Sequence, residues 1–259
     1  MLSLAATPGA FSGSSAGMIV LFTDFGLAGP YTGQIKAVLA REAPDVPVID
    51  LFADAPSRQP KPAAYLLAAY ALGFPLSTVF LCVVDPGVGG ARAPVVIEAD
   101  GRFFVGPENG LFELVRRRAS AVRIVEITWR PPQLSASFHG RDLFAPVAAM
   151  LARGAPPPGE TRPPEFGRKP DWPDDLAEIV YIDHYGNAMT GLRAATLSPA
   201  AMLSIAGQRI ARARTFSGVG EGEALWYENS NGLAEIAVNL GRADAALGLK
   251  LGTAVSIES

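Results

Sequence analysis

The chain has 259 residues, of which 49% are hydrophobic and 18% charged, so a large core is possible and wholesale disorder is excluded. Its formal net charge is −3, and its one basic block, Arg116 to Arg118, is typical of a solvated helix end, so we expect no nucleic-acid partner. The single cysteine, Cys82, excludes a disulfide framework or a cysteine-based zinc site and is compatible with a cytoplasmic protein.

Two segments have a length or position that would suit a targeting or membrane segment: the first residues and a long uncharged stretch. The start, MLSLAATPGAFSGSSAG, lacks the basic residues and long apolar run of a signal peptide, so we expect a disordered tail over residues 1–17. Residues 63–84 carry no charge and are numerous enough to cross a bilayer. Gly73, Phe74 and Pro75 interrupt them, however, which favours a buried helix followed by a strand and no membrane association.

Strand-like and helix-like patterns alternate over residues 18–154. The segments GMIVLFTD, VPVIDLF, STVFLCVVD, APVVIEA and AVRIVEIT predict strands. The segments GQIKAVLAREA, KPAAYLLAAYAL, NGLFELVRRR and DLFAPVAAMLA predict helices. This alternation predicts an N-terminal α/β domain with a largely parallel sheet that is covered on both faces.

The pattern changes in the last hundred residues. Residues 155–176 belong to a stretch rich in proline, glycine and charge, which predicts either a linker or an arm that wraps around the first domain. Beyond it, EIVYIDHYGN, AMLSIAGQRIARART, ALWYENSNGLAEIAVN and TAVSIES predict short strands separated by turns. We therefore expect a C-terminal all-β domain, a small barrel or sandwich, over residues 177–259.

Three acidic residues follow or end predicted strands of the first domain: Asp24, Asp50 and Asp85. Ligands of open parallel sheets bind beyond the carboxyl ends of the strands, so these side chains are candidates for one site. The alternative for each is an ordinary helix cap.

In the glycine-rich segment VVDPGVGGAR, Asp85 follows two apolar residues and Arg92 is the last residue, so a charged pair flanks the glycines. The segment lacks the Lys-Ser/Thr of a P-loop and the G-x-G-x-x-G spacing, and a strand follows it where a phosphate loop has a helix. ATP and dinucleotide cofactors are therefore disfavoured. A tight hairpin-like turn between two buried strands would explain the glycines but not the charged pair, and the glycines would also let the backbone approach a ligand closely.

The chain has two histidines, His139 in SFHGRD and His184 in IDHYGN, and no H-E-x-x-H spacing, so we expect no metal site. His139 precedes a predicted helix, and the adjacent Gly140 would leave room for a small ligand. In the C-terminal part, IDHYGN and ENSNG are either ordinary polar turns or a site for a nucleoside and an amino acid.

Six motifs in order, FTDFG, DPGVGGAR, GPENGL, FHGRD, IDHYGN and NSNGLAEIAVN, make the sequence resemble the S-adenosylmethionine (SAM) hydrolases, or SAM hydroxide adenosyltransferases, which are related to fluorinases and chlorinases. The resemblance spans residues 18–257. It implies an α/β domain followed by a β-barrel domain and hydrolysis of SAM to adenosine and methionine. It also implies homotrimers in which the first domain of one subunit and the second domain of its neighbour enclose the substrate.

The resemblance also implies roles for individual residues. Asp85, Arg92 and His139 match the set that handles the attacking water. The remaining matches imply contacts with the ribose hydroxyls (Asp24), the methionine ammonium (Asp183) and carboxylate (Ser230 and its neighbour Asn231), the adenine edge (Asn187 and backbone around Val238) and the faces of the nucleoside (Tyr185 and Phe216).

Four positions depart from the halogenating relatives. They carry tyrosine and a halide-binding serine where this chain has His139 and Gly140, which argues against halide chemistry. They carry arginine where this chain has Asn231, which weakens the assignment of the carboxylate site, and tryptophan where it has Ser57, which leaves that wall of the pocket open.

The chemistry implied by the resemblance needs neither metal nor cofactor, with SAM itself as the substrate. The sulfonium leaves as a neutral thioether, so the protein must hold water in line with C5′ and assist its loss of a proton. An ordinary histidine pKa of about 6.5 suits this task, but the residues leave open whether Asp85, Arg92 or His139 takes the proton. A halogenase of the same fold and a non-catalytic SAM or adenosine sensor are the alternatives.

Overall fold

The computed structural model describes residues 17–258, and the tail predicted for residues 1–17 lies, apart from Gly17, outside them. A seven-stranded sheet, in the order β2-β1-β3-β5-β4-β6-β7, forms the centre of the N-terminal part. Its strands are β1 (Ile19–Thr23), β2 (Val48–Phe52), β3 (Val79–Val83), β4 (Pro94–Ala99), β5 (Arg102–Pro107), β6 (Val122–Ile127) and β7 (Gly159–Arg162). The pairs among β2, β1, β3 and β5 are parallel, and the pairs from β5 through β4 and β6 to β7 are antiparallel.

Helices cover both faces of this sheet, as the unbroken apolar strands predict. They are α1 (Tyr31–Glu42), α2 (Pro60–Tyr70), α3 (Glu113–Arg118) and α4 (Ala145–Ala152). In β1, Ile19 and Leu21 pack in the core beneath α1 and α4, while Val20 and Phe22 pack in the core beneath α2 and α3. Because successive side chains of a strand point to opposite faces, every residue of β1 is buried.

A single π turn, Gly140–Phe144, leads into α4. The backbone N–H of Ala145 donates to the carbonyl oxygen of Gly140, five residues earlier, in place of the usual four. The turn starts directly after His139, so it sets the direction in which that residue leaves the helix.

The strand β5 was not among the predicted strands, and it corrects one interpretation. β5 lies between β3 and β4 in the sheet, so the glycine segment that joins β3 to β4 is not a hairpin-like turn. The hairpin of this region is the turn between β4 and β5, at Asp100 and Gly101, which both have positive φ angles. An Asp-Gly pair between apolar runs is a strong hairpin signal, and it would have revealed β5.

Residues 155–176 behave as an arm that wraps the first part. They contribute β7 to the edge of the sheet, and Trp172 lies where any side chain at Gly110 would have to go. The arm covers the end of α3, so the prediction of a solvated basic triplet is wrong for Arg116. Its side chain is 2% exposed, pairs with Glu108 at 3.2 Å and donates to the carbonyl oxygens of Pro164 and Phe166.

The C-terminal part consists of two antiparallel sheets, which confirms the predicted fold class of an α/β part followed by an all-β part. One sheet has the order β12-β13-β9-β8 and the other β11-β10-β14. Their elements are β8 (Leu176–Ile182), β9 (Ala188–Arg193), β10 (Met202–Ile205), β11 (Gln208–Ile210), β12 (Ala224–Glu228), β13 (Leu233–Val238), the short helix α5 (Ala243–Leu247) and β14 (Ser256–Glu258). Trp226, fully buried, lies in the core of this part. The domain boundaries at residues 154 and 176 stay predictions.

None of the helices within residues 17–258 has the length and hydropathy needed to span a bilayer.

Candidate active site

A cleft of about 440 Å³ opens at the carboxyl ends of β1 and β3. Its lining includes Asp24, Phe25, Ser57, Asp85, His139 and Gly140. The structure therefore brings together two of the three acids at strand ends. The third, Asp50, is absent from this lining, since its carboxylate forms an ion pair at 2.5 Å with Lys36 of α1 on the surface. Of the three candidates, Asp50 is thus the one that the structure does not bring to this cleft, because its position within β2 directs its side chain towards α1.

Asp85, Arg92 and His139 form one continuous hydrogen-bonded chain. Arg92 donates to Asp85 through Nε, at 3.1 Å to Oδ1 and 3.0 Å to Oδ2, and through Nη2 at 2.5 Å to Oδ2. The same Nη2 lies 2.9 Å from Nδ1 of His139. The side chains of Asp85 and Arg92 are 3% and 10% exposed, so this charge pair is held in a largely dry environment, where its geometry is firmly defined.

The contact with Arg92 fixes the proton arrangement of His139. A guanidinium has only donors, so Nδ1 of His139 must accept, and a neutral ring then carries its proton on Nε2. Burial, followed by the positive charge of Arg92, lowers the pKa of His139 below its ordinary value of 6.5. His139 is therefore a neutral hydrogen-bond donor at neutral pH, with no free nitrogen lone pair to act as a base.

The π turn holds Arg92 from a second side. The guanidinium carbon of Arg92 lies 5.3 Å from the centre of the Phe144 ring, the last residue of that turn. An arginine over an aromatic face gains cation–π attraction in addition to its hydrogen bonds. Arg92 is thus positioned by Asp85, by the ring of Phe144 and by the imidazole of His139.

The glycine segment passes close to protein backbone rather than only to an open cleft. Gly89 has a φ of +78°, and a Cβ there would overlap the carbonyl oxygen of Ala136, just before the FHGRD motif. Gly89 is therefore required to pack the segment between Asp85 and Arg92 against the segment that carries His139. The element that follows the segment is the strand β4 rather than a helix, as its sequence indicated.

Asp24 lines the cleft next to a strained backbone position. Its Oδ2 accepts a hydrogen bond at 2.7 Å from the backbone N–H of Arg58, a residue with a φ of +58°. Burial raises the pKa of Asp24, the backbone hydrogen bond opposes this, and the nearby charge of Asp85 adds to the increase. Ser57 also lines the cleft, so the wall there is formed by a small side chain.

Three aromatic rings that the motif analysis did not single out form one wall of the cleft: Phe25, Tyr31 and Phe138. Their ring centres lie 5.5 to 5.9 Å apart, with Tyr31 and Phe138 edge to face. Phe25 directly follows Asp24 in FTDFG, and Phe138 directly precedes His139 in FHGRD. This proximity to predicted site residues was the signal that could have identified both rings.

The predicted nucleoside-binding residues of the C-terminal part line a separate groove of about 420 Å³. Tyr185, Asn187, Phe216 and Val238 all belong to its lining. Tyr185 is 73% exposed and extends outward from this groove. The first cleft is lined from the N-terminal part and the groove from the C-terminal part, so a single chain does not bring the two residue sets into one lining.

Asp183 and Asn187 are tied to each other. Asp183 accepts hydrogen bonds from the backbone N–H of Asn187 at 2.9 Å and from its Nδ2 at 3.2 Å. These contacts form a tight polar turn between β8 and β9. They also occupy one of the two N–H donors of the Asn187 amide, which leaves its Oδ1 and the second N–H for further recognition.

Ser230 and Asn231 lie in the turn between β12 and β13, where Asn231 Nδ2 donates to Ser230 Oγ at 3.1 Å. The buried Asn229 supports this turn, because its Oδ1 accepts from the backbone N–H of Asn231 at 3.0 Å. Glu235, 3% exposed, in turn accepts from Asn229 Nδ2 at 2.8 Å.

Glu235 also supports the groove. It accepts a short hydrogen bond from the hydroxyl of Tyr227, whose ring centre lies 5.2 Å from that of Phe216. Burial raises the pKa of Glu235. Glu235 and Tyr227 were not among the predicted site residues, although Glu235 is part of NSNGLAEIAVN and an acidic residue inside an apolar strand was a signal.

No group of three or more His, Cys, Asp or Glu side chains within residues 17–258 could hold a metal ion.

Comparisons with known proteins find matches to both parts of the chain. Family models match in both parts: the SAM hydroxide adenosyltransferase N-terminal domain over residues 19–160 and C-terminal domain over residues 177–256. An "(R)-S-adenosyl-L-methionine hydrolase" from Thermus thermophilus is 40% identical over 92% of this chain and 98% of its own. One from Salinispora tropica is 38% identical over 89% of this chain and 93% of its own.

A more distant relative and a solved structure are also similar over nearly the whole chain. A fluorinase from Nocardia brasiliensis is 23% identical over 93% of this chain and 96% of its own. A crystal structure of a conserved protein from Thermotoga maritima is similar with a TM-score of 0.85 and 32% identity. It covers 93% of this chain and all of that one.

Proposed function

The chain belongs to the SAM hydroxide adenosyltransferase family, and from this premise we propose that it is an enzyme that hydrolyses SAM to adenosine and methionine. The observation that carries the proposal is the Asp85–Arg92–His139 chain of hydrogen bonds at the cleft, which supplies what an attacking water needs. Since the relatives are named hydrolases of (R)-SAM, we propose the (R)-sulfonium epimer as the preferred substrate.

The proposed reaction is an in-line displacement at C5′. The water oxygen forms a bond to C5′, the C5′–S bond breaks, and its electron pair remains on sulfur, which leaves as the neutral thioether of methionine. One water proton must be lost, and no proton is needed by the leaving group. No carbonyl or phosphoryl oxygen has to be polarised, so the proposal includes neither metal nor cofactor.

We assign the proton to Asp85. His139 has Nδ1 occupied by Arg92 and a proton on Nε2, so it offers a donor to the water oxygen and not a base. The Asp85 carboxylate, oriented by the fork of Arg92, offers acceptor oxygens. One donor and one acceptor would hold the water with a lone pair free to attack C5′.

Substrate binding is proposed from the two halves of the site. In the first, Asp24 would hold the ribose hydroxyls next to the aromatic wall. In the second, Tyr185 and Phe216 would pack on the nucleoside, and Asn187 with the backbone near Val238 would meet the adenine edge. The charge of Asp183 suits the methionine ammonium, and the hydroxyl and amide of Ser230 and Asn231 suit its carboxylate.

We propose a homotrimer in which the cleft of one subunit faces the groove of its neighbour. The two residue sets line separate cavities, each with exposed apolar side chains close by in the chain. Leu27 and Leu240, 84% and 83% exposed, are the most exposed of these. Such side chains are typical of surfaces that become covered. A cytoplasmic location stays a prediction.

The direct test uses purified protein with (R)-SAM and (S)-SAM in halide-poor buffer, followed by chromatography. We expect adenosine and methionine in equal amounts, with (R)-SAM as the better substrate. In water labelled with oxygen-18, the label should appear in adenosine, as attack at C5′ requires. Tight binding without product would favour a sensor, and 5′-haloadenosine in chloride or fluoride would favour a halogenase.

The pH dependence of the rate provides a second test. The assigned role of His139 needs the neutral ring, and its pKa is lowered from 6.5, so the ring should be half protonated only at a pH below that value. We expect kcat/KM to fall on the acid side with a midpoint below 6.5. His139→Gln should remove that part of the profile, and a midpoint above 6.5 in the wild type would contradict the assignment.

A further inference from the structure

The turn that follows β5 holds both ends of the segment from Asp85 to Arg92. The Nδ2 of Asn109 donates a hydrogen bond of 2.9 Å to the carbonyl oxygen of Val84, the residue before Asp85. The backbone N–H of Glu108 donates one of 2.8 Å to the carbonyl oxygen of Ala93, the residue after Arg92. Glu108 and Asn109 are adjacent residues of the GPENGL motif, to which the proposed mechanism assigns no role. Together they hold the segment by one hydrogen bond beside each of its ends.

The order of the strands explains this arrangement. β5 lies between β3 and β4, so the segment that joins them has to cross the carboxyl end of β5. The chain leaving β5 emerges beneath that crossing. A segment rich in glycine has little conformational preference of its own, so these two hydrogen bonds supply positional restraint at its ends.

The amide of Asn109 is held in one orientation. Its Oδ1 accepts from the backbone N–H of Leu111 at 3.2 Å, which directs Nδ2 towards Val84. Carbonyl and amide atoms cannot exchange places without losing both bonds. The backbone of Glu108 needs no particular side chain for its own contact, so the identity of residue 109 is the chemically specific part of this support.

We propose that Asn109 is a positioning residue of the reaction: it anchors Val84 and so sets where Asp85 and Arg92 meet His139. The proposal rests on the proposed function. Asn109 does not need to touch substrate. Movement of Val84 would displace the Asp85 carboxylate directly, and the Arg92 guanidinium that it holds would move away from Nδ1 of His139.

The test compares Asn109→Asp with a matched change at the other end of β3. Asn109→Asp keeps the acceptor for Leu111 but faces Val84 with an oxygen, so the anchoring bond is lost. In the control, Thr78→Val, a buried hydroxyl loses its 2.8 Å bond to the carbonyl oxygen of Pro75. Both variants lose one hydrogen bond to a backbone carbonyl oxygen, after β3 in Asn109→Asp and before β3 in Thr78→Val. Only the bond lost in Asn109→Asp lies next to Asp85.

We expect kcat of Asn109→Asp to fall about tenfold, corresponding to the loss of about 1.4 kcal/mol, with KM within about twofold. Thr78→Val should lower the melting temperature about as much as Asn109→Asp does, since each variant loses one hydrogen bond. It should leave kcat unchanged. Equal kcat values in the two variants would overturn the proposal. Asn109→Leu, of similar shape and without charge, is the second variant and should show the same split between kcat and KM.

A readout independent of turnover separates this proposal from the proposed function. The chain has two histidines, so NMR titration gives two imidazole signals, His139 and His184. The charged groups that act on His139 are Arg92, Asp85, Arg130 and Asp142. In Asn109→Leu, withdrawal of Arg92 should move the titration midpoint of His139 upward, towards 6.5. An unchanged midpoint overturns the positioning role even if the wild type hydrolyses SAM. A shifted midpoint shows that Asn109 anchors Arg92 against His139, and a wild type that did not hydrolyse SAM would then contradict the proposed function rather than this anchoring.

Discussion

Replacing Asp85 with asparagine is expected to lower kcat by about 10²- to 10⁴-fold, the range typical for loss of a general base. Asparagine has the shape of aspartate and retains an oxygen that can accept from Arg92, so the cleft should keep its form. It cannot take a proton from water. SAM should therefore still bind, as measured by calorimetry, while adenosine production in a chromatographic assay nearly stops.

A second aspartate–arginine pair provides the matched control. Arg193 donates to Asp175 at 2.8 Å from Nε and at 2.6 Å from Nη2, a forked contact like that of Arg92 with Asp85 but at the start of the C-terminal part. Asp175→Asn should cost stability without changing kcat. If Asp85→Asn retained wild-type turnover, Asp85 would be removed from the proposed catalytic set.

Co-expression of two impaired variants should restore activity that neither has alone. Asp85→Asn damages the cleft and Asp183→Asn damages the groove, in each case with an isosteric side chain. If each site combines one subunit's cleft with its neighbour's groove, random assembly leaves about one quarter of the sites with both halves intact. We therefore expect about a quarter of wild-type turnover from the co-expressed protein taken as a whole.

The separately purified variants, mixed without subunit exchange, are the control and should stay inactive. Light scattering on the wild type should give the mass of three chains. Complete absence of recovery in the co-expressed protein would mean that cleft and groove act within one chain, and the interface proposal would then be wrong.

Local patterns allowed much of the fold to be predicted. The β-branched runs gave β1, β2, β3, β4 and β6, because strands covered on both faces must be apolar throughout. They also located Asp24 and Asp85, since carboxyl ends of parallel strands meet at one edge. The same rule failed for Asp50, because a side chain's direction depends on the alternation within its strand and on what lies beside it, here Lys36.

Long-range contacts could not be predicted from spacing. Arg92 and His139 are 47 positions apart, and their contact depends on the packing of Gly89 against Ala136. The burial of Arg116 depends on an arm whose composition alone fits either a linker or a wrapped segment. The support of Asp85 by Asn109 required the position of β5, which the strand patterns did not reveal.

Because of the π turn at Gly140–Phe144, the direction of the His139 side chain depends on the number of residues between it and α4. A π turn accommodates one residue more than an α-turn, and one residue of an α-helix corresponds to a rotation of about 100°. Loss of a single residue between His139 and Ala145 would restore a regular helix and rotate the imidazole away from Arg92, even with every side chain of the site retained. Homologues that keep the letters of the motif but differ in length at this point would thus differ in chemistry, so the spacing from His139 to α4 is as diagnostic as the residues themselves.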